Sequence, residues 1–315
     1  MAVRKVYAVK LKDKESLMNS SSGGAFTALS DVFLKQGNAV LCSIYDYSSF
    51  KPRFQLVLTF EERDCARGSK YVQADMNLAF RESVDWLESH NDRKLAFFGL
   101  GCQAASFQQY MKLSGLEDRV VIVDIICHGV PSPKIWREYA KEVSNDGIMS
   151  HVNFRDKKTG WNKSVGTAIV EGTEVSVQDY RRLYSTRNII RPSCFACPYA
   201  KSDRDSDITI GDFWHIEKVM PDFYDPMGVS LVLIHSEKGE ELFEQAKEAI
   251  ESRISNENDC RQMNLEKPTD FPSTRDQFWE DYKKYGIAYI VNKYGTVKPL
   301  PQRILSKLGR ALKSI

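Results

Sequence analysis

A chain of 315 residues with 27% charged residues and a formal net charge of +2 has the composition of an ordinary globular protein. It is long enough for one large domain or two and for a core without staples, and its near-balanced charge gives no reason to expect nucleic acid as a partner. No run approaches the roughly 20 apolar residues of a membrane span, and residues 1–17 lack the apolar run and cleavage site of a secretory signal, so cytoplasmic residence is the expectation.

In chain order, Lys5 to Leu11 reads as a strand. Ser20-Ser21-Ser22-Gly23-Gly24 then precedes a helix whose Phe26, Leu29, Val32 and Phe33 fall at helical spacing, with Gly37 as its C′ glycine. Asn38 to Tyr45 and Phe54 to Phe60 read as two strands, and Glu61 to Ala66 as a polar helix. Arg67-Gly68-Ser69-Lys70-Tyr71 forms a turn before a helix through Trp86 and Leu87. Lys94 to Phe98 is a buried strand, Gly99 to Cys102 a loop, and Gln103 to Leu113 a helix. Arg119 to Ile126 is a second buried strand, ending at Cys127-His128-Gly129, and Pro133 starts a helix through Val143 with Ser132 as its N-cap.

Two successive strand–loop–helix units predict an α/β fold, with a mostly parallel sheet flanked by helices. Residues 151–180 carry shorter strands and Gly turns, a β-rich insertion. Asp207 to Ile210 is a strand running into Gly211-Asp212, and Val229 to His235 with Gly239 to Ile250 is a further strand–helix pair. The expected division is an N-terminal region 1–90, an α/β region 91–255 and a helical extension 256–315. Within the extension, Arg303 to Ile315 reads as a basic amphipathic tail, docked on its own domain or a partner in preference to a membrane surface.

Seven cysteines, an odd number, in a reducing compartment are candidates for metal or redox chemistry, not for disulfides. Cys194-Phe-Ala-Cys197 is the densest signal, because two thiolates three positions apart can converge on one metal centre. A thioredoxin-like dithiol is the competing reading, although Arg191-Pro192-Ser193 replaces the strand that such a motif follows. Cys102 and Cys127 each follow a predicted buried strand. In a parallel sheet both would open at the carboxyl edge where α/β proteins bind ligands. Their alternative is a place in the core as small hydrophobes, the reading preferred for Cys42, Cys65 and Cys260. Ser20 to Gly24 at a helix N-terminus is a candidate anion cradle, with a plain serine cap as its alternative. Lys70 could pair with a phosphate and Tyr71 stack on a ring, and His128 could donate a proton or hydrogen bond, each against a structural alternative. Asp212 reads as a local capping residue.

Six segments in a fixed order resemble the coenzyme F420 hydrogenase/dehydrogenase beta-subunit family. They are Ser21-Ser22-Gly23-Gly24, Gly68-Ser69-Lys70-Tyr71, Gly101-Cys102-Gln103, Cys127 to Ser132, Cys194 to Cys197, and Asp207 to Phe213. The resemblance implies an α/β oxidoreductase that binds FAD and a [4Fe–4S] cluster and converts hydride transfer into single-electron transfer. It places the first two segments against FAD, makes Cys102, Cys127, Cys194 and Cys197 the cluster ligands, and leaves His128 and Lys70 as candidate catalytic residues. The chain shows no closely spaced cysteines near its start, as many relatives do, so the implied partners are a diffusible hydride carrier (F420, NADH or NADPH) and a separate ferredoxin-like or oxidoreductase protein. Gly99-Leu100-Gly101 stands where relatives often have Gly-Thr-Pro before the cysteine. The rival expectations are a zinc-binding module and an electron-transfer subunit without a substrate of its own.

Overall fold

The computed structural model describes residues 3–296. Among the described residues eleven strands run in chain order: β1 (Lys5–Leu11), β2 (Ala39–Asp46), β3 (Lys51–Val57), β4 (Leu95–Leu100), β5 (Val120–Ile125), β6 (Met149–Asp156), β7 (Val165–Val170), β8 (Thr173–Ser176), β9 (Ile208–Asp212), β10 (Ser230–Ile234) and β11 (Ile250–Ser255). Eight form one sheet in the order β11-β1-β10-β9-β5-β4-β2-β3, and β6, β7 and β8 form a separate antiparallel sheet. The α/β class expected from sequence is the observed one. The centre, β2-β4-β5-β9, is parallel, and the margins are antiparallel.

The period-2 alternation of the central strands buries both faces. Leu41, Phe97 and Ile122 face the helices Ala79–Ser89 and Gly101–Leu113. Val40, Phe98 and Val123 face the helices Ala25–Lys35 and Glu237–Ala246. Phe97 is stacked between Phe54 at 5.6 Å and Phe107 at 4.7 Å between ring centroids, so the two layers meet through aromatic contacts. A third core joins the small sheet to the C-terminal helix Arg275–Ile290, with Trp136, Phe154, Tyr180 and Phe278 fully buried in it. The insertion and the C-terminal helix therefore stabilise each other across more than a hundred residues of chain. Among the described residues no helix is long and apolar enough to cross a membrane.

Several boundaries differ from expectation for visible reasons. The strand expected to reach Phe60 stops at Val57, because Thr59 and Glu62 form a reciprocal capping box that starts the helix Phe60–Asp64. Gly101 and Cys102 are not loop but the first helical turn, since the Gln103 side chain accepts the Leu100 N–H at 2.9 Å. Ser132 stands at the N-cap by backbone position without a side-chain cap bond. Ser236 caps the helix Glu237–Ala246, after which the chain turns back as β11 beside β1 instead of staying helical to Ile250. The insertion ends in a helix, Gln178–Ser185. The amphipathic tail from Arg303 lies outside the described residues.

Candidate functional site

Because β2, β4, β5 and β9 run the same way, their carboxyl ends share one edge; β1, antiparallel to β10, ends there too. Ligand sites of open α/β sheets form at such an edge. From it emerge the Ser20–Gly24 turn, Cys102, Cys127-His128 and Asp212. Two adjoining cavities lie over it, of about 410 and 200 Å³.

The smaller cavity is lined by Cys102, Cys127, Cys194 and Cys197 together. Three distant stretches thus bring their sulfurs to one space, all four half-buried. Cys127 and Cys102 come from neighbouring strand ends. The 192–197 turn is hung beside them by the Arg191 N–H to the Val130 carbonyl at 2.9 Å. Gly129 makes that approach feasible: its φ of +102° suits glycine, and an added Cβ would sit 2.5 Å from Ile190 and 3.3 Å from the Cys194 Cβ. Beneath the cavity, buried Arg204 donates to Asp124 Oδ2 at 2.7 Å and to the Lys201 carbonyl at 2.9 Å, tying the segment after Cys197 to β5. Burial pushes the Cys127 thiol up to about 12, against the Gly129 N–H donated to its sulfur at 3.3 Å. Burial also raises Cys102, with Arg191 opposing it.

Among the described residues no three Cys, His, Asp or Glu side chains are gathered closely enough to hold a single metal ion. Four thiols with no carboxylate or imidazole in the cavity's lining form a donor set that fits an iron–sulfur cluster and a tetrahedral zinc alike.

The larger cavity has a volume typical of a small-molecule site. It shares Leu100, Cys127, Gly129 and Val130 with the cysteine cavity, so anything bound in one lies next to the other. Ser21, Ser22, Gly68, Ser69, Lys70, Tyr71 and His128, all singled out in the sequence, line it together. Ser21 and Ser69, 48 residues apart, face each other with hydroxyls 3.4 Å apart. Gly23 and Gly24 shape the turn from behind: a Cβ on Gly23 would meet the Val9 carbonyl oxygen at 2.1 Å, and Gly24, at φ +84°, is the N-cap. A Cβ on Gly68 would enter open space, and Arg67 Nε and Ser43 Oγ, in residues lining the cavity, are buried without a partner among the described residues, although Arg67 Nη2 pairs with Asp64 at 3.0 Å. These features fit a polar, anionic group such as a flavin's diphosphate. Lys70 donates to the carbonyls of Ala66, Arg67 and Gly68 at 2.7, 3.3 and 3.1 Å, and burial lowers its pKa to about 8. Its first task in this geometry is to organise its own loop. His128 lines the cavity, and desolvation of its ring lowers its pKa, with Asp212 opposing.

Sequence reasoning missed the far wall. Arg155 on β6 donates to Asp212 Oδ2 at 2.5 Å, and Trp161 Nε1 donates to Oδ1 at 3.2 Å. Asp212 is therefore a largely buried ion-pair partner, not the local cap expected. Trp161 stacks on Trp214 at 5.1 Å, and Tyr71 on Tyr184 at 4.6 Å. Nearby, buried Lys157 donates to the carbonyls of Leu17, Ser22 and Met227 at 2.5, 3.0 and 2.6 Å, joining the insertion to the Ser20–Gly24 turn. The Gly-Asp pair at 211–212 was the sole local signal for this wall, since its partners lie some fifty residues away.

A search of curated proteins found no match. Among solved structures, a chain of the xenon-derivatised F420-reducing [NiFe] hydrogenase complex from Methanosarcina barkeri superposes with a TM-score of 0.55 at 19% identity, covering 80% of this chain and 82% of that one. At that identity the likeness is one of fold. The family model for the C-terminal part of the coenzyme F420 hydrogenase/dehydrogenase beta subunit matches residues 92–259, which include all four cavity cysteines, the Arg155 strand and Asp212. The chain belongs to the coenzyme F420 hydrogenase/dehydrogenase beta-subunit family.

Proposed function

We infer that this chain is an iron–sulfur flavoprotein oxidoreductase, with a [4Fe–4S] cluster on Cys102, Cys127, Cys194 and Cys197 beside FAD in the larger cavity. The observation that carries this reading is the pair of adjoining cavities, one lined by four cysteines from three distant segments and the other by the Ser- and Gly-rich turns. When bound, a flavin exchanges hydride as two electrons and an iron–sulfur cluster carries them singly.

The chain's own residues bind and orient. Arg67, with its unpartnered Nε, and the Ser21–Ser69 pair would hold the diphosphate. Lys70 keeps the Gly68-Ser69 turn in register for it. Tyr71, stacked on Tyr184, gives a planar ring an apolar wall, and His128 in the cavity lining can donate a hydrogen bond to the bound cofactor or substrate. Leu100 and Val130, shared by both cavities, would lie between groups bound in the two. The partners of such a protein are a diffusible hydride carrier (F420, NADH or NADPH) and a separate ferredoxin-like or oxidoreductase protein that exchanges single electrons.

The test is anaerobic purification with iron and flavin quantified and an absorbance spectrum recorded. Cys127→Ala and Cys194→Ala are expected to abolish iron retention while Cys42→Ala, in the wall of the larger cavity only, retains it. Equal iron in all three variants would reject the ligand set. A protein without iron or flavin even after reconstitution would reject the reading, and zinc in place of iron would favour a structural module.

A further inference from the structure

The cations around the larger cavity come from two sources. Arg67 and Lys70 belong to the loop before Tyr71, whereas Arg155 and Arg181 are supplied by the insertion and its helix. Arg155 is neutralised by Asp212. Arg181 is not: its Nη1 donates to the Ser164 carbonyl and to Gln178 Oε1 at 3.1 Å, and its Nη2 to Ser164 Oγ at 3.4 Å, all neutral groups. Among the described residues no carboxylate forms an ion pair with it. A half-buried guanidinium that has lost water without gaining a counter-ion is unfavourable until an anion arrives. Burial lowers its pKa, and neighbouring Arg155 acts in the same direction.

Gln262 supplies a second unmet demand on the same wall. Its Nε2 must face the Asp212 carbonyl oxygen at 3.2 Å, because only the amide nitrogen can donate there. That fixes Oε1 as an acceptor, and it is buried without a partner among the described residues. A buried acceptor left unmade costs roughly 1–3 kcal/mol, so a ligand N–H placed there gains correspondingly. Trp214, stacked on Trp161, adds an aromatic face beside it.

We propose that this insertion-side wall is a second ligand subsite, in which Arg181 binds the anionic arm of the hydride carrier and Gln262 Oε1 accepts an N–H from its planar ring. The proposal rests on the flavoprotein reading and deepens it: one carrier chemistry, a carboxamide- or imide-bearing ring on a phosphate-bearing arm, would be read by residues distinct from those holding the flavin. Nicotinamide dinucleotides and a deazaflavin both satisfy it.

The experiment uses anaerobically prepared wild type, Arg181→Gln and Arg181→Lys, with flavin and iron quantified in each. Binding of NAD+, NADP+ and oxidised F420, which leave the oxidised protein unreacted, is then measured separately by calorimetry. One of the three is expected to bind wild type. Arg181→Gln should weaken it by about tenfold or more with flavin content unchanged, as loss of a charge-assisted contact requires, and Arg181→Lys should recover most of the loss. Unchanged affinity in Arg181→Gln, loss of flavin from it, or no binding of any carrier to flavin-loaded wild type would each overturn the subsite. A wild type that carries no flavin would instead sink the underlying reading, and the subsite with it.

Discussion

Lys157 is 4% exposed and hydrogen-bonds three carbonyl oxygens from separate loops, with no carboxylate among those acceptors. Burial, with Arg155 adding to it, lowers its pKa from 10.5 to about 8. The sign of the resulting pH dependence follows from linkage. Below about pH 8 the amine is charged in both the folded and unfolded chain, so the cost of burying it is fully present and independent of pH. Between 8 and 10.5 the folded state releases its proton first, and stability rises with pH. The thiols of Cys42 and Cys260, raised from 9.0 to about 12, act oppositely, because there the unfolded chain ionises first and stability falls as pH climbs past 9. In the interval from about pH 8 to 9, Lys70, lowered to about 8 as well, contributes alike to wild type and Lys157→Met, so the difference between the two isolates Lys157. Over that interval, urea midpoints should show wild type gaining at most about 1 kcal/mol relative to Lys157→Met. A difference that stays flat would mean that the buried amine titrates at its ordinary value. Neither Lys157 nor the Arg155–Asp212 pair was legible in the sequence. A lysine in Lys157-Lys158 beside a Gly turn looks like solvated surface, and what makes it otherwise is contact with residues 17, 22 and 227.

At the scale of elements, legibility follows how local the determining interaction is. The central strands and the helices behind them carry their own periodicity and end signals, so β4, β5 and the placement of Cys102 and Cys127 near strand ends could be read directly. Edge strand β11 could not, because only Ile250 of its six residues is buried and no alternation marks it. The wall built by the insertion was also hidden, since the local pattern of 151–180 says strand but not what the strands face. The first turn of the helix Gly101–Leu113 lies between these cases. Gln103 acts as a local cap, yet its effect is to move Cys102 from a flexible loop onto a fixed helical position beside Cys127. Gln103→Leu removes the acceptor for the Leu100 N–H and should cost about 1 kcal/mol. If the cap positions the cysteine, iron bound after reconstitution should fall while the thermal midpoint drops only a few degrees. Full iron content in a destabilised variant would show that Cys102 is held by the sheet alone.

The whole molecule is a sheet that carries the cysteines and a second layer that closes the larger cavity, and the two have different sources of stability. The sheet is packed on both faces by its own helices. The small sheet β6-β7-β8 relies on the aromatic core it shares with Trp136, Tyr180 and the helix Arg275–Ile290. Phe278, fully buried there and edge-on to Tyr294 at 5.0 Å, is the point where that helix enters the core. Phe278→Ala should cost about 3–5 kcal/mol, the range for deleting a buried ring that its surroundings refill only in part. The loss should be uneven, because β4 and β5 contribute no residue to that core, whereas Phe154 and the neighbouring Arg155 are held by it. Hydrogen exchange should accelerate in residues 149–176 with the amides of β4 and β5 remaining protected. The cysteine cavity is anchored by Arg204 and Asp124 on the sheet side but also by the helix Arg275–Ile290, whose Arg275 and Trp279 donate to the Asn188 carbonyl, so iron retention and affinity for flavin should both fall. Uniform acceleration across both sheets would instead make the molecule one cooperative unit, with the cavity wall no more separable than the strands beneath it.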